Sequence, residues 1–192
     1  MATGEYALVT WAALAAEFGY LADEQAKVER LIDAATARME MEAKHKILAR
    51  DYAGVILDGS GRDILLLPQF PLNSVLSVHI DTSRVFGDST LTPATDYMID
   101  RDAGLIRLFS GTFPRGYGVV KISYNAGYSE EHEFYAAIVG ACKELVHTMK
   151  TRWAGGIGKR TETNADGMSV GYELDLPMSV HAVIELIKRH DR

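Results

Sequence analysis

The chain is short of cysteine, of long apolar runs and of cations. It holds a single cysteine, Cys142, so no internal disulfide can form and a reducing compartment is expected. No stretch approaches eighteen consecutive apolar residues, which leaves no segment able to span a bilayer as a helix. The opening MATGEYALVT lacks a basic region and an apolar core, so no secretory signal is expected there and the protein is expected to be cytoplasmic. Cations are in deficit as well. Lys and Arg number 20 against 26 Asp and Glu, a net charge of −6. A nucleic-acid-binding surface over the whole molecule is disfavoured, because neutralising phosphates takes clustered Lys and Arg. DNA passing by is not disfavoured, since an acidic wall repels the duplex and lets it slide.

Catalytic and metal patterns are also missing. The six histidines, His45, His79, His132, His147, His181 and His190, form no HxxxH or HxH pair, and no cysteine lies near one in sequence. There is no G-x-S-x-G elbow for a hydrolase nucleophile. Gly155-Gly156-Ile157-Gly158-Lys159-Arg160-Thr161 invites comparison with a phosphate loop and fails on spacing. The first glycine of such a loop would fall on Trp153, and Arg160 stands where Ser or Thr must follow the lysine. Asp58 to Asp63 surrounds glycines with carboxylates but lacks the closing glutamate of a calcium loop, and reads as a turn. Asp96, Asp100 and Asp102 read as turn residues in the same way. Cys142 sits on an apolar helix stripe, a core position. Neither a cofactor nor a metal is expected. Lys150, Arg152, Lys159 and Arg160 make one local basic cluster in an acidic chain. It reads either as a loop brushing DNA, with Lys159 and Arg160 at its centre, or as cations favoured at a helix C-terminus followed by a solvated loop.

What is present is a strong pattern of elements. Hydrophobic residues make up 47% and charged residues 24%, ordinary for a globular protein. Thr10 is suited to cap a short helix ending at Phe18, with Gly19 as its stop and Trp11, Leu14, Ala15 and Phe18 as one stripe. Asp23 is expected to cap a longer helix running to Ala43 or Leu48, with Val28, Leu31, Ile32, Ala35 and Met39 at helical spacing. The pattern then turns to strands: 52–57, 64–67 and 75–80, separated by Gly- and Pro-containing turns. From Asp96 to Tyr128 three more strands are expected as a meander: 97–99, 105–109 and 119–124, with turns at 100–104 and 112–116. Ser129 is expected to cap the strongest helix, through Ile138, Cys142, Leu145, Met149 and Trp153. Residues 154–167 have no periodicity and read as a loop; 168–174 alternate as a strand. Pro177 then opens a last helix whose apolar stripe is Val180, Val183, Ile184 and Ile187.

The order DYMIDRDAGLIRL, FPRG, VKISYNAGY and an immediate long helix resembles the phage head–tail connector (adaptor) proteins of long-tailed phages and prophages. Leu8-Val9-Thr10, LIDAATAR at 31–38 and LLLPQFPLNSV at 65–75 fall in that family's order, so the resemblance covers most of the chain. It looks like a longer subgroup with a β-rich insertion. The motifs are structural and imply no chemistry. The fold expected is α+β: a helical bundle with an inserted antiparallel β-meander unit and a C-terminal strand–helix arm. The corresponding segments are 1–51, 52–128, 129–153 and 154–192. The resemblance implies a virion protein that assembles a ring, usually of twelve subunits, under the portal. Such a ring extends the DNA channel, without sequence-specific DNA binding, and receives the stopper or tail-completion protein. In the family the C-terminal segment commonly docks on the portal, which here implies Val180, Val183, Ile184 and Ile187 as anchors. The same stripe can instead fold back on its own bundle. Two other classes are a stopper-like neck protein, which the helical framework weighs against, and an enzyme using scattered carboxylates, which the missing nucleophile and metal spacing weigh against.

Overall fold

A computed structural model describes residues 4–87, 90–91, 93–154, 161–163, 169–171 and 176–188. Helices α1 (Trp11–Phe18) and α2 (Gln25–Ala43) come first, joined by a 3-10 turn at Ala22–Glu24. Strands β1 (Arg50–Gly59), β2 (Ile64–Leu66), β3 (Leu72–Ile80) and β4 (Thr90–Leu91) follow, then the single-turn α3 (Pro93–Asp96). After β5 (Tyr97–Asp100), β6 (Leu105–Leu108) and β7 (Gly116–Ala126) come α4 (Tyr135–Ala154), β8 (Thr161–Thr163), β9 (Ser169–Gly171) and α5 (Met178–Ile187). The fold is α+β, as expected. The chain divides into two compact units, Met1–Lys44 with Glu133–Arg192, and His45–His132.

In the helical unit, Thr10 caps α1 by accepting a hydrogen bond from Ala13 N–H, and Gly19 ends it in the left-handed region (φ 66°). Leu8, Val9 and Leu14 are buried around that start. The cap of α2 differs from expectation. Asp23 lies inside the 3-10 turn, and Glu24 reaches back to Leu21 N–H through Oε2 (3.2 Å). The helix stops at the earlier of the two expected ends, because Lys44 turns left-handed at φ 62°. Helix α4 starts later than expected. Ser129 closes a turn by accepting from His132 N–H (3.0 Å), and the helix opens only at Tyr135. Val28, Ile32, Ala35 and Met39 of α2 and Ile138, Cys142 and Val146 of α4 are all buried. The small Ala35 and Ala43 allow close approach on the buried stripe of α2. The stretch read as a plain loop contains β8, which pairs antiparallel with β9 (Glu162↔Val170).

The β-rich unit is built on β7, which pairs antiparallel with β1 on one side and β3 on the other, giving the order β1-β7-β3-β4. The second sheet has the order β2-β6-β5. The β5–β6 hairpin is present, Ile99 opposite Ile106. The expected three-strand meander breaks after it: β6 pairs with β2 and β5, and β7 crosses to the other sheet. The reason is burial. Ile106, Leu108 and Leu65 from one sheet and Val78, Val120, Ile122 and Tyr124 from the other close over a single core together with Phe113 and Tyr97. A flat meander would leave one face of those residues wet. Bulges in β1 near Gly54 and in β3 supply the curvature.

Candidate functional site

Several places in the fold hold polar or exposed groups beyond those that packing requires. The first is the C-terminal helix. Val180, Ile184 and Ile187 on α5 are buried, and Val183 is half-buried. The helix packs on α4 and α2 of its own unit, and Ser179 Oγ donates to Glu144 on α4 at 2.7 Å. The four expected docking anchors therefore sit together on one stripe, and that stripe faces the chain's own bundle. Met178 and Leu186 are the large apolar residues α5 leaves exposed.

The second is the basic cluster. Lys159 and Arg160 lie outside the described residues. Lys150 is already engaged: its Nζ sits 2.9 Å from Glu24 Oε1 and 3.9 Å from the centre of the Tyr20 ring. The hydrogen bond from Lys150 holds the Glu24 carboxyl below its ordinary range. Around Lys150 the rings of Trp11, Phe18, Tyr20 and His147 stack, and the Tyr20 hydroxyl lies 2.9 Å from His147 Nδ1. Lys143 pairs with Glu17. These contacts clamp residues 17–24 onto α4, a packing role that the spacing of Tyr20 and His147 in sequence gives no means of seeing.

The third is one end of the β-rich unit. There the β1–β2 turn, the β6–β7 turn and the 81–87 loop converge. Gly61 N–H donates to Phe113 O (2.9 Å), Phe113 N–H to Arg62 O (2.8 Å) and Asp81 N–H to Val119 O (2.9 Å). Gly118 N–H donates to Asp58 Oδ1 (2.8 Å). The loop is built around one carboxylate. Asp81 accepts from Ser83 N–H (2.8 Å), Ser83 Oγ–H (2.6 Å), Val85 N–H (3.0 Å) and Phe86 N–H (2.8 Å). The Ser83 hydroxyl and the three amides favour the ionised form and take its pKa down to about 2. Those bonds hold Arg84 (φ 60°) and Phe86 (φ 53°) in a left-handed backbone that non-glycine residues rarely adopt. The folded pKa is below the ordinary 3.8, so the loop's stabilisation is whole above about pH 4 and is lost as pH falls toward 2. Protection of the Val85 and Phe86 amides, relative to their intrinsic exchange at each pH, should fall across that window in the native chain. In Asp81→Ala protection should be low throughout, and an unchanged acid profile in that variant would refute the role given to the carboxylate.

Two buried titratable groups, Cys142 and Tyr128, are held neutral by their surroundings. Burial pushes the Cys142 thiol up to about 12, with a partial offset from Thr36, so at neutral pH it is not a thiolate. Burial and then the Asp102 charge raise Tyr128 to about 12. Among the described residues no group of His, Cys, Asp and Glu is arranged to hold a metal ion, and no helix is long and apolar enough to cross a membrane.

With this geometry in view, solved structures give the comparison. A chain in the neck of a native gene transfer agent particle, computed with C12 symmetry, superposes with a TM-score of 0.60 at 17% identity, over 93% of this chain and 89% of that one. The two chains share a fold. A chain in the neck of the empty particle, computed with C6 symmetry, gives 0.57 at 16% identity over 88% and 81%. One in the virion of the native particle gives 0.56 at 16% identity over 90% and 81%. No family model and no curated protein matches the sequence. At such identities the likeness is one of fold, and it covers both the helical and the β-rich unit.

Proposed function

We propose that this chain is a structural protein of the neck of a phage-like particle, a head–tail adaptor that forms a ring beneath the portal. The observation that carries the reading is the fold likeness over 93% of the chain to a subunit of a neck solved with C12 symmetry. It agrees with the order of sequence motifs that resembles phage connectors. In this role the chain extends the DNA channel and offers a platform to a stopper or tail-completion protein. Duplex DNA passes through without base-specific contacts, in keeping with the chain's net charge of −6. No step of chemistry is involved, in keeping with the buried setting of Cys142. Portal docking through Val180, Val183, Ile184 and Ile187 requires α5 to leave its own bundle, a helix-in-groove exchange that occurs on assembly.

The test is to mix the purified chain with the portal protein encoded beside it and image the product by electron microscopy. A ring of added density coaxial with the portal is expected, and it yields the subunit number directly. A folded chain that leaves an intact portal bare overturns the adaptor role.

A further inference from the structure

Three side chains of α4, Lys143, His147 and Lys150, recur at i, i+4 and i+7 and share one face of the helix. The segment joining α1 to α2 meets them in register. Glu17 pairs with Lys143, the Tyr20 hydroxyl lies 2.9 Å from His147 Nδ1, and Glu24 Oε1 lies 2.9 Å from Lys150 Nζ. Two ring contacts run between the same pieces of chain. Phe18 stacks on His147 with centroids 4.6 Å apart, and Lys150 Nζ stands 3.9 Å from the centre of the Tyr20 ring. The segment adds nothing to the core. No residue between Leu14 and Val28 is buried, and Leu21 is 66% exposed. Its fastenings lie to either side: Leu8, Val9 and Leu14 are buried before it, and Val28 and Ile32 after it. In its middle Gly19 takes the left-handed backbone (φ 66°), a pivot with nothing packed against it within 4 Å.

A segment anchored at both ends by burial, and held between them by surface contacts alone, belongs to the low end of local stability. Exposed ion pairs are weak and are screened by salt, whereas buried apolar contacts are not. We infer that residues 17–24 form a strap that lifts from α4 as a unit, gated by ionic strength, while α2 and α4 stay packed. The ring contacts set the closed position, and the two ion pairs set how often it is left. Closed, Glu17 and Glu24 neutralise the two lysines of the stripe. Open, the stripe stands as two ammonium groups and an imidazole on one helix face. Val28, Ile32 and Met39 of α2 and Ile138, Cys142 and Val146 of α4 are buried and take no part in the opening. Because both ends stay fastened, reclosing is an intramolecular step over a short loop.

The test is amide hydrogen exchange of the full chain in low and in high salt, with each rate taken relative to intrinsic exchange in the same buffer. The amides of Gly19, Leu21 and Glu24, bonded to Ala15 O, Glu24 Oε2 and Leu21 O, report on the strap. Their protection is expected to fall together, by about tenfold, as the ion pairs are screened. The Ile32 and Val146 amides should hold theirs. In Lys143→Gln/Lys150→Gln, protection of the strap should be low in both buffers, with α2 and α4 unchanged. Amine acetylation of the native chain gives a second reading: Lys143 and Lys150 should react faster in salt, in step with the lost protection. Strap amides that exchange only with global unfolding overturn the inference. So do protection and lysine reactivity indifferent to salt, or a double variant that responds to salt as the native chain does. A double variant that loses protection in α2 and α4 as well also overturns it, since the strap would then belong to the cooperative unit of the bundle.

Discussion

Ile184→Asp is expected to unfold the helical unit of the free chain. Ile184 is 1% exposed, on the same stripe of α5 as the buried Val180 and Ile187, against α4 and α2. Truncating such a side chain to alanine costs about 2–5 kcal/mol, from lost burial and the cavity left behind. A carboxylate adds the cost of an unpaired buried charge, and the sum approaches the whole stability of a domain, about 5–15 kcal/mol. Ile184→Ala should therefore lower the urea midpoint with little change in slope, and Ile184→Asp should abolish the native baseline. Leu186→Asp on the same helix is the control: Leu186 is exposed, and a change of no more than about 0.5 kcal/mol is expected. Equal, small effects at the two positions would mean that α5 is an arm standing off the bundle, free for docking from the start. Unequal effects mean that docking through this stripe must first displace it. Truncation after Leu174 is then expected to destabilise the unit by exposing the surface that α5 covers, in addition to any loss of docking.

The second large effect is expected at Gly59, where β1 ends. A Cβ at this position would lie 1.8 Å from Pro114 O, 2.9 Å from Pro114 C and 2.7 Å from Val119 Cγ2. The nearest obstruction is backbone, so no rotamer change relieves it. Gly59→Ala should force the β6–β7 turn away from β1, at a cost of about 1–3 kcal/mol or more. Gly140 in α4 provides the contrast, since nothing lies within 4 Å of the Cβ it would gain. Gly140→Ala is expected to stabilise the helical unit by up to about 1 kcal/mol, through helix propensity alone. Chemical denaturation of the two variants checks both signs. A Gly59→Ala protein as stable as the native chain would mean that the close approach of the two turns is not maintained in solution.

Much of this architecture was legible because local chemistry and period agree. Thr10 and Gly19 bracket α1, and the 3.6-residue spacing of Val28, Ile32, Ala35 and Met39 marks α2. The turn at Asp100–Gly104, where Ala103 N–H donates to Asp100 Oδ1 at 3.0 Å, announces the β5–β6 hairpin. Helix starts were less legible. Asp23 and Ser129 are good capping residues by type, yet Glu24 reaching back to Leu21 and the Ser129–His132 turn occupy those places. The strand positions were visible, but the full extent of β1, β3 and β7 and the pairing were not. Val119, Ile122 and Tyr124 alternate equally well for a partner in either sheet, and the choice of β1 and β3 over β6 follows from closing two sheets on one core.

The candidate surfaces divide in the same way. An apolar stripe on α5 is written in the spacing of Val180, Val183, Ile184 and Ile187, and spacing is silent on whether a stripe meets its own bundle or another protein. Glu17, Tyr20 and Glu24 are far in sequence from Lys143, His147 and Lys150 and give no motif with them. They meet because Leu14 and Val28, buried on either side of the strap, fasten it to the helical unit. The sequence by itself determined an α+β chain with its hairpin and its long helices, since these depend on residues near one another along the chain. Only the tertiary structure decided which strands pair, which stripe is covered and which charges meet, because each depends on contacts between segments that the chain brings together when it buries its core.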